Sequence, residues 1–368
     1  MKVLYDYQIF GMQDYGGISR IYTELLKAKL PENNFIPELP LRFSNNYYLN
    51  ELKNVQYYPF FPKMALFKKV QIMNKFNKNY SINKIKLSKF DIFHPTYYDP
   101  YFLPYLDKKP FVITFFDMIH EKFGSQYKEF AQDKTIYEGK QQLVKHAARI
   151  ISISESTRKD LIEYFNVPAE KIDVIHLATS LGKSNNEPII KGDYLLFVGR
   201  RERYKNFNML IVSLQPLFQN NKNLKLICAG GGIFSDDEVA LINNLGIQDQ
   251  VLQLPFNKDN ILSNLYTHAL AFLFPSLYEG FGIPVLEAFA CGCPLILSNT
   301  SSLPEVAGDA AAYFNPYEAN SILNSVNSVL HNNAYRQQLK EKGILRANNF
   351  SWKKTLMETE NTYKKIAI

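Results

Sequence analysis

Cysteine is scarce here, with three residues in a chain of 368. Cys291 and Cys293 are separated by one residue, too close in sequence to staple a large loop, so a disulfide framework is excluded as a source of stability. No histidine or third cysteine stands near that pair at ligand spacing, and both read as small apolar packing rather than zinc ligands. Long apolar runs are missing too: no stretch reaches the roughly 18 residues of a membrane-spanning helix. Asp6 interrupts the apolar run that a signal peptide would need, and with so few cysteines a reducing cytoplasm is the expected compartment.

Acidic residues are absent from one extended stretch. Between Lys53 and Lys89 there are nine lysines and no aspartate or glutamate, an excess larger than the formal net charge of +7 for the whole chain. The same stretch holds Tyr57, Tyr58, Phe60, Phe61, Phe67 and Phe76. Basic residues interleaved with aromatic ones suit an anionic membrane surface or an acidic acceptor. The alternative is a surface helix with a solvated lysine face and a core-facing apolar face. Peripheral contact with the inner face of the membrane through residues 53–89 is therefore one expectation, and no nucleic-acid partner is expected.

Against these absences, 46% of the residues are hydrophobic, enough for a large core. The length fits two domains. Short apolar runs alternate with helical patterns, which points to parallel α/β architecture. A first series has strands at Lys2–Tyr7, Asp91–His94, Phe111–Phe115, Ile150–Ser154 and Asp173–His176, with helices at Gly17–Leu30 and Ser156–Phe165. A second has strands at Tyr194–Val198, Lys225–Ala229, Val251–Leu254, Ala271–Phe274 and Pro294–Ser298. Its helices fall near Asn208–Phe218, Asp236–Leu245, Asp259–Tyr266 and Pro284–Ala290. The polar segment 179–188, with Gly182 and Pro188, reads as the interdomain linker. The expected domains are 1–182, completed by 350–368, and 183–349.

The most informative segment runs from Phe274 to Ala288. A buried strand ends at Phe274, a loop with Gly280 and Gly282 follows, and Pro284 sits where a first-turn proline is tolerated. Free backbone N–H groups and the helix dipole make such a loop an anion site, and the glycines admit close approach of a ligand. Glu279 lies in the loop and Glu287 about one turn into the helix, so their carboxylates can accept hydroxyl hydrogen bonds on either side of bound phosphates. A solvated surface pair is the plain alternative. The loop after Val198 supplies cations at Arg200, Arg201, Arg203 and Lys205, with Arg200 and Lys205 ranked first for a diphosphate. Asp236 and Asp237 follow Ser235 at a helix start, where carboxylates serve the dipole rather than a metal.

This text resembles the E-x(7)-E signature of the family-4 retaining glycosyltransferases of the GT-B fold, in the group that includes mannosyltransferases. The segment Val198–Asn206, the glycines 230–232, Leu303-Pro304-Glu305-Val306 and Phe350-Ser351-Trp352 are similar to that family in the same order. The resemblance implies two Rossmann-like domains facing each other across a cleft, with a C-terminal helix crossing back to the first. It implies donor contacts from Arg200, Lys205, Gly280, Phe281, Gly282, Ile283 and Glu287, and a catalytic role for Glu279. Tyr15–Arg20 resembles the family's first-domain glycine loop, which adds Gly16 and Gly17; a plain helix-start turn is the alternative. Ser154-Glu155-Ser156 resembles another family turn, and a helix N-cap alone accounts for Ser154.

One departure stands out. Many relatives carry His-Asp at the end of a first-domain strand, whereas this chain has Phe116-Asp117, with His120 three residues on. Asp117 and His120 are the candidates for the polar contact to the sugar. The family implies retention of configuration, no metal, and no cofactor beyond the nucleotide-diphosphate sugar, which is the substrate. The expected activity is transfer of a hexose, from GDP-mannose or a UDP-sugar, to a glycan or lipid-linked acceptor in polysaccharide biosynthesis. A non-catalytic scaffold binding a sugar nucleotide or glycan is one alternative. An NAD-dependent oxidoreductase is another, but G-x-G-x-x-G is missing after the first strand.

Overall fold

Every strand pair among the described residues of the computed structural model is parallel. It describes residues 1–28, 34–64, 67–126, 134–256 and 258–367. The sequence gives the reason for the parallel sheets: runs such as Tyr194–Val198, Ala271–Phe274 and Leu295–Ser298 are buried along their whole length. Strands covered on both faces need continuous apolar residues rather than alternation.

The chain forms two units, Met1–Leu177 with Trp352–Ile368, and Ala178–Ser351. In unit 1 the strands are β1 (Lys2–Tyr5), β2 (Ile36–Glu38), β3 (Ile92–His94), β4 (Val112–Phe115), β5 (Arg149–Ser152) and β6 (Ile172–Val174). They pair as β2-β1-β3 and β4-β5-β6. A parallel bridge between Phe93 and Phe111, with Phe93 N–H donating to the Pro110 carbonyl at 3.1 Å, links the two halves. Unit 2 holds β7 (Tyr194–Val198), β8 (Lys225–Ala229), β9 (Val251–Leu254), β10 (Ala271–Phe274), β11 (Leu295–Ser298) and β12 (Ala312–Phe314). Their order is β12-β11-β10-β7-β8-β9, the doubly wound Rossmann order, in which the first strand lies beside the fourth. That neighbouring pair, β7 and β10, is the topological switch point, and ligands bind outside the carboxyl ends of such a pair.

Helix starts follow local chemistry. Ser235 and Glu238 form a reciprocal capping box at the head of helix Asp236–Leu245, with Asp236 and Asp237 in its first turn. Each satisfies or complements the free N–H groups there. Gly246, with φ of 68°, closes the same helix. The Ser154 hydroxyl accepts from Thr157 N–H and caps helix Glu155–Phe165.

Several expected bounds shift. Helix Gly17–Leu26 ends before Leu30, and residues 29–30 lie outside the described ones. β1 stops at Tyr5 rather than Tyr7, because Asp6 turns inward at the strand end. β2 and β12 were not expected; three residues each, one containing Pro37, are too short for a pattern to register. The unit boundary falls five residues earlier than the expected 182/183, and the return to unit 1 falls at 351/352 rather than 349/350. The first shift has a structural cause. The expected linker is fastened along helix Asp259–His268: Ser184 N–H donates to Thr267 Oγ1 at 2.9 Å and Ile189 N–H to Asn264 Oδ1 at 2.9 Å. Asn264 Nδ2 donates to the Glu187 carbonyl at 2.9 Å. A segment whose backbone is satisfied in this way belongs to unit 2 rather than to a flexible tether.

The last helix, Trp352–Lys364, returns to unit 1. The Tyr363 hydroxyl lies 2.7 Å from Tyr5 Oη and 2.6 Å from His94 Nδ1, while His94 Nε2 is 2.9 Å from Thr114 Oγ1. Thr362 and Lys365 donate to the two Asp173 carboxylate oxygens at 2.9 and 2.6 Å. His94 is fully buried, and burial lowers its pKa to about 3. The ring is neutral at physiological pH and one nitrogen accepts.

Candidate active site

Two loops meet at the β7/β10 switch point of unit 2. After β7, Gly199 takes φ of 111°, and a single turn, Arg203–Lys205, leads into helix Phe207–Asn220 through Asn206 at φ of 59°. After β10, the loop through Glu279 ends at Gly282, which has φ of 88° and opens helix Ile283–Ala290. A Cβ on Gly282 would come within 2.9 Å of Leu303 Cδ2, so glycine serves both the backbone angle and the packing. The loops are tied by Leu277 N–H donating to the Tyr204 carbonyl at 2.8 Å.

Across this tie, Lys205 Nζ donates to Glu279 Oε1 at 2.6 Å. The ammonium also sits 5.0 Å from the Tyr204 ring centre and 5.6 Å from that of Phe274. Both partners are largely shielded from solvent, with 18% and 11% side-chain exposure. At that shielding a single ion pair holds more firmly than on an open surface. Glu287 is buried in the helix and accepts from Tyr266 Oη at 3.3 Å. Phe281 is buried in the loop.

The cations of the β7 loop separate by environment. Arg201 is spent internally: its guanidinium donates to Glu238 Oε1 at 2.8 Å and to the carbonyls of Gly230, Gly232 and Ile233, and lies 4.7 Å from the Phe234 ring centre. Arg200 has 80% of its side chain exposed, with Glu202 as an ion partner at 3.4 Å. Gly231 closes the arrangement, since a Cβ there would meet the Gly199 carbonyl at 2.4 Å. Cys291 and Cys293 are buried; burial pushes the Cys291 thiol up to about 12 and raises that of Cys293.

In unit 1 the switch point lies between β1 and β3. Asp6, fully buried, accepts from Thr96 N–H at 2.8 Å, Thr96 Oγ1 at 2.7 Å and Gln8 Nε2 at 2.7 Å. Burial raises its pKa, and those hydrogen bonds oppose the rise. Gly16 and Gly17 begin helix Gly17–Leu26, where Ser19 Oγ donates to the Gly16 carbonyl at 2.9 Å. Gly16 has φ of 173°, an extended conformation open to any residue.

After β4, Phe116 is buried against Tyr22, so the position of the family histidine is filled by core packing. Asp117 Oδ1 accepts from Ile119 N–H at 3.1 Å, and His120 stands on the short helix Ile119–Phe123. Two deep side chains hang this loop: Tyr98 Oη accepts from Phe116 N–H at 3.0 Å, and Lys140 Nζ donates to the Asp117 carbonyl at 3.0 Å. Lys140 is fully buried and pairs with Glu121 at 2.9 Å. Sequence reasoning missed Tyr98, Lys140 and the Asp6 network. A lone lysine on an amphipathic helix carries no signal of burial.

The basic stretch forms helix Lys69–Leu87, in which Met73, Asn77, Ser81 and Ile85 are buried. This narrow stripe is half polar, and Asn77 is spent on the backbone of residues 42 and 43. Val70, Ile72, Phe76 and Leu87 are exposed, as are Tyr58, Phe61, Met64 and Phe67, the last at 86%. The helix thus turns a narrow stripe with Met73 and Ile85 inward, as the alternative expects, and leaves other apolar side chains exposed beside its lysines. Among the described residues no helix is long and apolar enough to cross a membrane.

Two family models match consecutive parts of the chain: glycosyltransferase family 4 over residues 40–182 and glycosyl transferases group 1 over residues 183–346. The chain belongs to the group 1, family 4 glycosyltransferases. Among curated relatives of this glycosyltransferase, O-antigen chain mannosyltransferase B of Escherichia coli is 32% identical over 231 residues, 59% of this chain and 61% of that protein. O-antigen chain mannosyltransferase RfbU of Salmonella typhimurium is 30% identical over 187 residues, 50% and 52% of the two chains. The chain thus spans less than two thirds of the length of both. Sucrose-phosphate synthase from Thermosynechococcus elongatus superposes with a TM-score of 0.79 at 18% identity, covering 99% of this chain and 98% of that one. Anabaena HepE, solved with UDP and glucose, gives 0.75 at 17% identity over 99% and 100%. The fold is GT-B.

Proposed function

We propose that this glycosyltransferase moves a hexose, with retention, from a nucleotide-diphosphate sugar to a glycan or lipid-linked acceptor in polysaccharide biosynthesis. The observation that carries the reading is the Lys205–Glu279 pair at the carboxyl ends of β7 and β10. A cation and a carboxylate held together at a switch point match a ligand that joins a diphosphate to a polyol. Two curated relatives are named as O-antigen mannosyltransferases, which favours GDP-mannose as the donor over a UDP-sugar.

In this scheme Lys205 and Arg200 meet the diphosphate, aided by the backbone N–H groups of Gly280, Phe281, Gly282 and Ile283. Glu287 accepts from the ribose and Glu279 from the sugar hydroxyls. The acceptor oxygen bonds to the anomeric carbon on the face that the phosphate leaves. The carbon–phosphate oxygen bond breaks, and the departing oxygen takes the acceptor proton. Charge builds on the leaving diphosphate, where fixed cations and a helix N-terminus stabilise it without a metal or cofactor.

The exposed aromatic and basic side chains of 58–87 suit contact with an anionic membrane, which would bring a lipid-linked acceptor near. Sedimentation with anionic vesicles at low salt tests that part, and absence of binding removes it. The donor reading is tested by thermal shift with UDP, GDP, ADP, dTDP and NAD. Stabilisation by one nucleoside diphosphate supports it; a shift with NAD alone, or with none, rejects it.

A further inference from the structure

Glu279 is held by more than its ion partner. Its own N–H donates to Ser301 Oγ at 2.9 Å, and its own carbonyl accepts from Ser302 Oγ at 2.8 Å. Just before them, Thr300 Oγ1 donates to the Ser276 carbonyl at 3.2 Å. Three consecutive hydroxyls on the loop after β11 thus grip the backbone of the loop after β10. The two on Glu279 flank its Cα, which fixes the direction in which the carboxylate leaves the chain. Ser302 is fully buried.

Ser301 also has φ of 50°, in the left-handed region where a residue with a Cβ is strained. Glycine would relieve that strain and lose the hydroxyl. A strained serine beside a candidate carboxylate therefore points to the hydroxyl as the feature retained.

We propose that Ser301 and Ser302 are positioning residues, a two-hydroxyl clamp that aims the Glu279 carboxylate at the donor sugar. The inference rests on the donor reading given above. It goes beyond that reading in assigning the aim of Glu279 to the loop after β11 rather than to its ion pair with Lys205 alone. A small misplacement of such a group has large kinetic consequences.

The test is a double-mutant cycle on donor turnover, with Ser301→Gly, Ser302→Ala and Ser302→Thr made alone and in a Glu279→Gln background. Ser301→Gly relaxes the backbone, so a fold defect is not expected from it. The clamp predicts that Ser301→Gly and Ser302→Ala each lower kcat/KM roughly 10- to 100-fold. Ser302→Thr recovers most of the loss, and neither of the first two changes has much further effect once Glu279 is Gln. Equal losses in both backgrounds, or a lowered Tm with unchanged kinetics, overturn it. Amide hydrogen exchange supplies a readout independent of turnover. The Glu279 N–H should exchange faster in Ser301→Gly than in the wild type, and unchanged exchange overturns the clamp. A wild type that turns over no nucleotide sugar defeats the donor reading, while the exchange result still decides the clamp.

Discussion

Acidification should loosen the docking of the last helix through His94. In the folded chain this ring is fully buried between Tyr363 Oη and Thr114 Oγ1, and its pKa is lowered to about 3 by burial. In the unfolded chain it takes the ordinary value of about 6.5. Because the folded pKa lies below the unfolded one, the unfolded state binds the proton more tightly. Stability from this group is therefore complete above about pH 6.5 and falls as the pH drops toward 3. From the two values, the loss is on the order of 1 kcal/mol at pH 5.5 and about twice that or more at pH 4.5. Trp352 is the single tryptophan and begins the helix that carries Tyr363, so its fluorescence in urea titrations reports on this unit. Wild type should lose the predicted increment between pH 7.5 and 5.5, and His94→Gln, which cannot titrate, should not. An equal slope in the two proteins would refute the reasoning.

Other expectations follow from the same contacts. Burial alone would raise the pKa of Asp173, but hydrogen bonds from Arg149, Lys365 and Thr362 and the Arg149 charge outweigh it and bring it below the ordinary value. That contribution is present above about pH 4 and is lost as the pH falls through the folded pKa; Asp173→Asn should remove it and weaken docking of the last helix at neutral pH, read by Trp352 fluorescence. Arg201→Ala removes the cation from the Glu238 carboxylate, which keeps its capping-box bond from Ser235 N–H, and should cost about 3 kcal/mol of stability, whereas Arg200→Ala, on an exposed side chain, should change stability by less than about 0.5 kcal/mol and weaken nucleoside diphosphate binding; calorimetry separates the two. Gly282→Ala must hold φ of 88° and displace Leu303, so a loss of about 1–3 kcal/mol is expected in chemical denaturation.

Unit 2 was more legible in the sequence than unit 1. β7, β8 and β10 fall where the apolar runs put them, because a strand buried on both faces is written as a nearly unbroken run, and the half-buried edge strand β9 falls at its expected place as well. Their spatial order does not follow from the runs; it comes from the pairing of β7 with β10, a contact between residues about 75 apart in the chain. Gly282 was readable as the turn that opens a helix, which its φ of 88° bears out. The four cations after β7 were not separable by spacing, since the internal use of Arg201 depends on carbonyls from the loop after β8. The serines on Glu279 were hidden for the same reason: Ser301 and Ser302 stand 22 and 23 residues from the carboxylate and carry no pattern of their own. In unit 1, Phe116 was readable as a departure from the family, but its cause, packing against Tyr22, is tertiary.

The central claim is that the loops after β7 and β10 of unit 2 hold a nucleotide-diphosphate sugar through Lys205 and Glu279. The most direct measurement is release of nucleoside diphosphate from GDP-mannose and a set of UDP-sugars by wild type, Lys205→Ala and Glu279→Ala, with Tm recorded for each. The account predicts turnover of one donor by wild type and a loss of at least about 100-fold in both variants, on the scale of removing one preorganised transition-state contact, with their folds retained. Near-normal turnover in either variant would contradict it.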